Sequence, residues 1–438
     1  MLKNFFKFIL IFLFFQHPLY SKNKTFNEVN SNNLSNYFSG IIAYNNQDNL
    51  KALNFFRSSN FLIKEHDSYL EKYIYSLVLE GKVQQATNKI KQNLTANNSN
   101  FFEAHLILAL DSLKKKNYKK SREHLNQSSA HINNDRISLI IVETLKEYLF
   151  LFEENKLPNI EKKFGNFSLI NEVFQRCYLD DKKIDNYFNK IVNAEDNSNY
   201  SRYIFFYINY LIDNDRYEEA KLITDKVDYL NSSLLISQAK LWIENEQIEE
   251  FKKVFSCKNS HDIISELFFI VANIYSSQND YELSNFYLNI SYNLNPKFYF
   301  NLSLLAENYY FNEDYSKTLK ILNSFKKKDV FYYWFKLKKK AQIISKEETD
   351  KVSLNFITSK FRNIKDPSIK IVFDIANFYK KAGEFKEAIY YYDQVISEID
   401  INSPFYSEVL YRRGGSFERI GDYKNSDKDL LKSLETDP

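Results

Sequence analysis

The chain of 438 residues contains only 7 glycines and 6 prolines. Sheets and long loops need these residues for their turns, so the composition predicts a mostly helical protein with short connections. The 59 basic and 56 acidic residues leave a net charge of +3, which gives no electrostatic case for a nucleic-acid-binding face. Neither G-x-G-x-x-G nor G-x-x-x-x-G-K-[ST] occurs, so the usual phosphate-binding loops are excluded.

The N-terminus has the pattern of an export signal. Lys3 and Lys7 precede an unbroken apolar run from Phe8 to Phe15, which is too short to span a bilayer comfortably. We therefore predict a signal peptide over residues 1–21, followed by a short extension over residues 22–33. An uncleaved N-terminal membrane anchor is the alternative. No later stretch is long and apolar enough to be transmembrane, so the sequence predicts an exported protein of the periplasm or cell envelope.

The chain has two cysteines, Cys177 and Cys257. They are 80 residues apart and belong to no paired motif, so the sequence favours two separate buried thiols. A disulfide between them is possible in an oxidising compartment and stays open as the alternative.

One unit is repeated along the C-terminal half. Tyr275 and Tyr309 are 34 residues apart, and each is followed five residues later by Asp-Tyr. Five positions of the unit recur in four copies: an aromatic residue (Tyr275, Tyr309, Tyr379, Phe417), a small residue three before it (Ala272, Ala306, Ala376, Gly414), a turn residue four after it (Asn279, Glu313, Gly383, Gly421), a small residue nine after it (Ser284, Thr318, Ala388, Ser426) and a large residue four later still (Leu288, Leu322, Tyr392, Leu430).

The pattern predicts a helical hairpin in each copy. The aromatic residue and the small residue before it lie on the first helix, helix A, and the later small residue lies on the second, helix B. Small side chains let two helices approach closely, and glycine or asparagine suits the left-handed backbone that ends a helix. Stacked hairpins bury a continuous core that no single copy could close alone.

The same register extends toward the N-terminus. Earlier copies are indicated by Gly81, Val83, Ala86 and Ile90, by Ala109, Tyr118, Ser121 and Leu125, by Tyr217 and Ala220, and by Ala239, Trp242, Ile248 and Phe255. A first copy is suggested by Tyr37, Tyr44 and Ala52, although Tyr44 is one residue too close to Ala52. Three further copies would be degenerate, near residues 135–167, 168–199 and 332–367.

This spacing resembles the tetratricopeptide repeat (TPR) family, and the chain looks like bacterial exported TPR proteins. The resemblance implies an all-α, right-handed superhelical α-solenoid of about twelve repeats, three of them degenerate. It divides the chain into N-terminal repeats over residues 34–134, degenerate helical repeats over 135–199 and C-terminal repeats over 200–438.

The aromatic and basic segment "DVFYYWFKLKKK" spans residues 329–340. Such a mixture can bind nucleic acid or a membrane surface. The helical spacing of Phe331, Trp334 and Phe335 instead favours a buried helix A, with Lys338, Lys339 and Lys340 solvated. The six histidines form no metal motif, and no catalytic constellation occurs, so we predict no catalytic residue, no cofactor and no metal.

The resemblance also indicates where a partner would bind, because helices A form the concave wall of such arrays. The wall residues predicted from the register are Asn273, Ser276, Glu307, Tyr310, Lys370, Asn377, Lys380, Arg412 and Glu418. Lys370, Asn377 and Arg412 are of the types with which some family members clamp a peptide carboxylate, but the full clamp is absent.

The predicted function is a non-catalytic scaffold of the bacterial cell envelope that binds a protein or extended peptide in its groove. An adaptor for envelope polysaccharide or peptidoglycan enzymes would have the same fold. An enzyme using a carboxylate pair on the concave wall, and a cytosolic or nucleic-acid-binding helical repeat, are the further alternatives. The sequence does not identify the partner.

Overall fold

The computed structural model describes residues 31–64, 67–94, 100–132, 135–159, 162–192, 201–230 and 232–436. The predicted signal peptide and Pro438 lie outside these ranges. The chain divides into two compact units, residues 1–104 and 105–438.

The described residues form 23 α-helices and no β-strand, which confirms the predicted all-α fold. The helices are α1 (Ser31–Asn45), α2 (Asn49–Ser58), α3 (Asp67–Leu79), α4 (Val83–Gln92), α5 (Phe102–Lys114), α6 (Tyr118–Ser129), α7 (Arg136–Glu154), α8 (Asn166–Leu179), α9 (Ile184–Val192), α10 (Ser201–Asp213), α11 (Tyr217–Asp225), α12 (Leu234–Glu244), α13 (Glu249–Val254), α14 (Ser260–Ser277), α15 (Tyr281–Leu294), α16 (Leu302–Phe311), α17 (Tyr315–Leu322), α18 (Val330–Glu347), α19 (Asp350–Phe361), α20 (Ile369–Lys381), α21 (Phe385–Glu398), α22 (Pro404–Arg419) and α23 (Tyr423–Thr436). None of them is both long and apolar enough to cross a membrane.

Twenty-two of these helices form eleven consecutive hairpins, and α7 stands alone. The stretches 168–199 and 332–367, predicted as degenerate copies, contain the hairpins α8–α9 and α18–α19. The stretch 135–167 differs from the prediction, because α7 is followed within the described residues by irregular chain up to α8 rather than by a second helix. Asn155, at φ 52°, ends α7 in the left-handed conformation.

One turn joins the helices in ten of the eleven hairpins. The last residue of the turn donates its backbone N–H to the carbonyl five residues earlier, as Asp280 does to Tyr275 at 3.0 Å and Asp422 to Phe417 at 3.0 Å. The residue before that donor has a positive φ. The hydrogen bond and the positive φ together define a Schellman motif. The four predicted turn residues fit it, with φ of 61° at Asn279, 60° at Glu313, 80° at Gly383 and 81° at Gly421.

The turn also fixes the register of the first copy. Asp48 donates its N–H to the carbonyl of Ala43 at 2.9 Å, so Ala43 and not Tyr44 occupies the position predicted to be aromatic. Ala43 is nine residues before Ala52, which is the spacing of the other copies. The first copy therefore has the regular spacing when Ala43, rather than its neighbour Tyr44, is taken as the repeat position.

The small residues predicted at the helix crossings are buried where the two helices of a hairpin touch. Ala272, Ala306 and Ala376 are fully buried. At Gly414, a Cβ atom would lie 3.0 Å from Cγ of Leu430 on the partner helix, so a larger side chain would require Leu430 to move by a few tenths of an ångström. Two copies add a hydrogen bond at this point: the hydroxyl of Ser121 donates to the carbonyl of Ala109, and that of Ser353 to the carbonyl of Ala341.

Contacts between distant repeats hold the second unit together. Arg202 on α10 forms a bidentate ion pair with the buried Glu266 on α14, with both N···O distances at 2.7 Å. The same guanidinium donates to Asn301 at 2.6 Å and lies over the ring of Phe269 at 3.7 Å. This bidentate geometry and the extra hydrogen bond offset the cost of removing both charges from water.

Cys177 and Cys257 form a disulfide, with their Cα atoms 5.8 Å apart. It joins the C-terminal turn of α8 to the connection between α13 and α14, so the expectation of two separate thiols was wrong. Sequence spacing could not show this, because the two residues meet only through the packing of α8 against α14.

We expect Glu313→Gly to raise the free energy of unfolding by up to about 1 kcal/mol, because glycine adopts the left-handed turn conformation without steric cost. Lys320→Gly, at an exposed position inside the neighbouring helix α17, is the matched control and should cost about 1 kcal/mol. Chemical denaturation of both variants measures the difference. A destabilising Glu313→Gly would contradict the assignment of this turn.

Candidate functional site

The nine predicted wall residues lie on four helices A of the second unit, α14, α16, α20 and α22. Asn273 and Glu418 are exposed, and the other seven are half-buried. The structure thus places the set on corresponding helices, but most of its polar groups already bind other groups of the chain. Whether they bind a partner stays a prediction.

On α14 and α16, the predicted residues bind to neighbouring helices. The hydroxyl of Ser276 donates to Oδ1 of Asn308 at 2.7 Å. Glu307 forms an ion pair with Lys339 on α18 at 2.5 Å, and the Lys339 ammonium lies 4.2 Å from the ring centroid of Tyr310. These contacts join α14 to α16 and α16 to α18.

The lysine-coated face predicted for α18 is not found. Lys339 is only 6% exposed, and its burial lowers its pKa. Lys338 forms an ion pair with Asp374 at 3.2 Å, and Lys340 is half-buried. The expectation that all three lysines are solvated was wrong because helices on both sides of α18 supply carboxylates to this face.

A polar cluster connects α20 and α22. Oδ1 of Asn377 accepts hydrogen bonds from the hydroxyl of Tyr392 at 2.7 Å and from Arg412 at 3.2 Å. Arg412 also binds Glu408, and the Lys380 ammonium donates to the carbonyl of Arg412 at 3.0 Å. These groups provide positive charge on one face, but each hydrogen bond named here is made within the chain.

Of the predicted wall residues, Lys370 has the most deeply buried side-chain ammonium. Its ammonium donates to the backbone carbonyls of Tyr229 at 3.1 Å and Ser232 at 2.5 Å, and Leu230 offers a third carbonyl at 3.4 Å. Burial lowers the pKa of Lys370 to about 8. Lys370 therefore fixes the connection between α11 and α12 to helix α20.

This connection covers part of the predicted wall. Leu230 is buried in one apolar cluster with Val372 and Phe373 of α20 and Val409 of α22. The hydrogen bonds from Lys370 to the carbonyls of Tyr229 and Ser232 fix the backbone on both sides of Leu230. An earlier segment of the same chain thus contacts Lys370, one of the nine predicted wall residues, and the apolar residues beside it.

A cavity of about 810 Å³ lies beside the same connection, a feature that the sequence analysis missed. Its walls come from the connection, from α12, from α18 and from the segment between α19 and α20. The large apolar residues that line it are Tyr229, Leu241, Val330, Phe331, Tyr333, Trp334, Leu337, Ile364 and Ile371. The aromatic segment 329–340 was the available signal, but it could not show which distant segment would leave space beside it.

Three histidines also come together, around α5 and α6. The ring of His105 lies between those of His124 and His131, with centroid distances of 6.1 and 5.8 Å. Burial, together with the two neighbouring histidines, lowers the pKa of His105 to about 4. No group of His, Cys, Asp and Glu among the residues described by the structure has the geometry of a metal site.

No protein-family model and no curated protein sequence matches this chain. Among solved structures, it is similar to the Cut9–Hcn1 hetero-tetramer of the APC/C, with 9% identity over 94% of this chain and 82% of that one and a TM-score of 0.34. It is similar to yeast Tom70, with 12% identity over 92% of each chain and a TM-score of 0.33. It is also similar to the TPR domain of P58(IPK), with 12% identity over 93% of each chain and a TM-score of 0.26.

Protonation of His105 should destabilise the fold, because its pKa is about 4 when folded and 6.5 in its unperturbed state. The unfolded chain binds this proton more readily, so the contribution to stability is complete above pH 6.5 and is lost as the pH falls toward 4. The loss can reach about 3 kcal/mol. His105→Phe should reduce the pH dependence of the unfolding free energy by that amount between pH 7 and 4, and an unchanged dependence would refute the assignment.

Proposed function

We propose that the protein is an exported, non-catalytic scaffold that binds a protein partner in the bacterial cell envelope. The observation that carries the binding part of the proposal is an exposed apolar surface on the hairpin α22–α23. Leu431 and Leu434 are each 62% exposed on α23, and Tyr411 on α22 is 60% exposed. Leu431 and Leu434 are three residues apart and therefore neighbours on α23, and neighbouring large apolar side chains in contact with water favour a protein interface.

The hairpin architecture supports the same proposal. Within the described residues the same helix pair recurs in eleven hairpins, and such repeats offer rigid helical surfaces to a partner. The first helix of the described residues, α1, likewise exposes Phe38 at 54% and Ile42 at 61%. Such apolar stripes bind the complementary face of another protein, because both partners then remove apolar area from water.

The disulfide supports export. Disulfides form and persist in oxidising compartments, and Cys177 and Cys257 are the two cysteines of the chain. The basic and apolar N-terminal pattern of the sequence is consistent with the same route.

Site-specific photocrosslinking in the native host tests the binding proposal. A photoreactive residue at Leu434 should give a discrete adduct with another protein, and the same probe at Lys424, a polar exposed position of the same helix, should give none. Adding Leu431→Ser should remove the adduct if this apolar surface binds the partner. Equal adducts at both positions, or none at either, would overturn the proposal.

The state of the two thiols tests export. We expect the full chain, expressed in a bacterium, to contain no alkylatable thiol, and a chain starting at residue 22 to contain two. Since the disulfide closes a loop across a sequence separation of 80 residues, its loss should lower the unfolding free energy by about 4 kcal/mol. Cys177→Ser combined with Cys257→Ser is the control with no thiol in either compartment. A full chain that remains fully alkylatable would contradict export.

A further inference from the structure

The cavity beside the α11–α12 connection has rigid apolar walls. The indole Nε1–H of Trp334 donates to Asp374 at 2.8 Å, and the backbone N–H of Phe331 donates to Gln238 at 3.2 Å. The ring of Tyr229 stacks on Phe331 at 5.3 Å between centroids, and its hydroxyl donates to Glu244. Because both ends of the aromatic wall are held by hydrogen bonds, the cavity does not depend on a ligand for its shape.

A buried polar group at the cavity has no hydrogen-bond partner in the part of the chain that the structure describes. The hydroxyl of Ser368 is inaccessible to water and makes no hydrogen bond with any residue that the structure describes. Ser368 precedes α20 but does not cap it through its side chain. A buried hydroxyl without a hydrogen bond is costly, so a rotation of the Ser368 side chain toward the cavity would let a polar atom of a ligand supply the missing hydrogen bond.

The rim of the cavity has an excess of positive charge. Lys327, Lys360 and Lys365 line it and are exposed. Lys327 and Lys365 form no ion pair within the described ranges, whereas Glu244, one of the two rim carboxylates, already accepts from Tyr229. Asp366 is the other carboxylate. The rim therefore favours an anionic group on the ligand.

We propose that this cavity binds a short peptide segment of a partner protein that presents large apolar side chains next to carboxylates. The apolar side chains fill the space between Trp334, Leu337 and Ile371. The carboxylates lie near Lys327 and Lys365, and a backbone or side-chain polar atom binds the Ser368 hydroxyl. The inference rests on the proposed function, because it gives the scaffold a second and chemically defined contact with a protein.

The volume agrees with such a ligand. About 810 Å³ lies within the range of cavities that bind small ligands, and it exceeds the volume of a single side chain. The adjoining backbone at Tyr229 and Ser232 is itself bound by Lys370, so backbone carbonyls at the cavity edge already accept hydrogen bonds from a side chain of α20.

Tryptophan fluorescence provides a direct readout. The chain has two tryptophans, so Trp242→Phe leaves Trp334 of the cavity wall as the single reporter. We expect acetyl-Asp-Leu-Phe-Glu-amide to change the emission of Trp334 in a saturable way. Acetyl-Lys-Leu-Phe-Lys-amide, with reversed charge, and acetyl-Asp-Ala-Ala-Glu-amide, without large side chains, should each bind at least about tenfold more weakly. Calorimetry on the unsubstituted full chain repeats the titration and covers the case that Trp242→Phe does not fold.

Charge reversal on the protein gives the matched control. Lys327→Glu with Lys365→Glu should weaken the acidic peptide at least about tenfold and strengthen the lysine peptide. Lys386→Glu with Lys424→Glu changes the net charge equally at exposed positions outside the cavity lining and should have no effect. Equal binding of all three peptides, equal effects of the two double variants, or saturable binding of decanoate with none of the peptides would overturn the inference. If the Leu434 crosslink persists in that case, the scaffold proposal stands without the cavity.

Discussion

The close contact between the two helices of each hairpin is the interaction on which the rest of the structure depends. Buried small residues such as Ala272 and Ser284 occupy this contact, and at Gly414 there is no room for a Cβ atom without movement of Leu430. The left-handed turn then reverses the chain within a few residues, as at Gly421. Because both devices are local, the hairpin can recur while the rest of its surface varies.

Variation on that surface supplies the contacts between repeats. Lys339 and Lys370 lie on helices A but bind Glu307 and backbone carbonyls of an earlier connection. Arg202 and Glu266 do the same across α10 and α14. Charged side chains on helices A can therefore join repeats to one another as well as bind a ligand. Burial strengthens such electrostatic contacts when they are fully hydrogen-bonded.

The sequence predicted the helical hairpins, most of their register and their turn residues, because these depend on contacts within about 34 residues. The nine predicted wall residues fall on corresponding helices A, but the sequence could not show that most of their polar groups bind other groups of the chain. Lys370 illustrates the reason: its acceptors at Tyr229 and Ser232 lie about 140 residues away, and no periodic pattern encodes that distance. The cavity and the cysteine pair escaped prediction for the same reason.

The sequence by itself determined the all-α class, the hairpin as the unit and the places where glycine or a small residue is required, because steric limits at turns and helix crossings act between near neighbours. Only the tertiary structure decided that Cys177 meets Cys257 and that the α11–α12 connection covers part of the helix A wall. It also decided that a space remains beside Trp334. These features depend on how successive hairpins rotate against one another, and small rotations accumulate over many repeats.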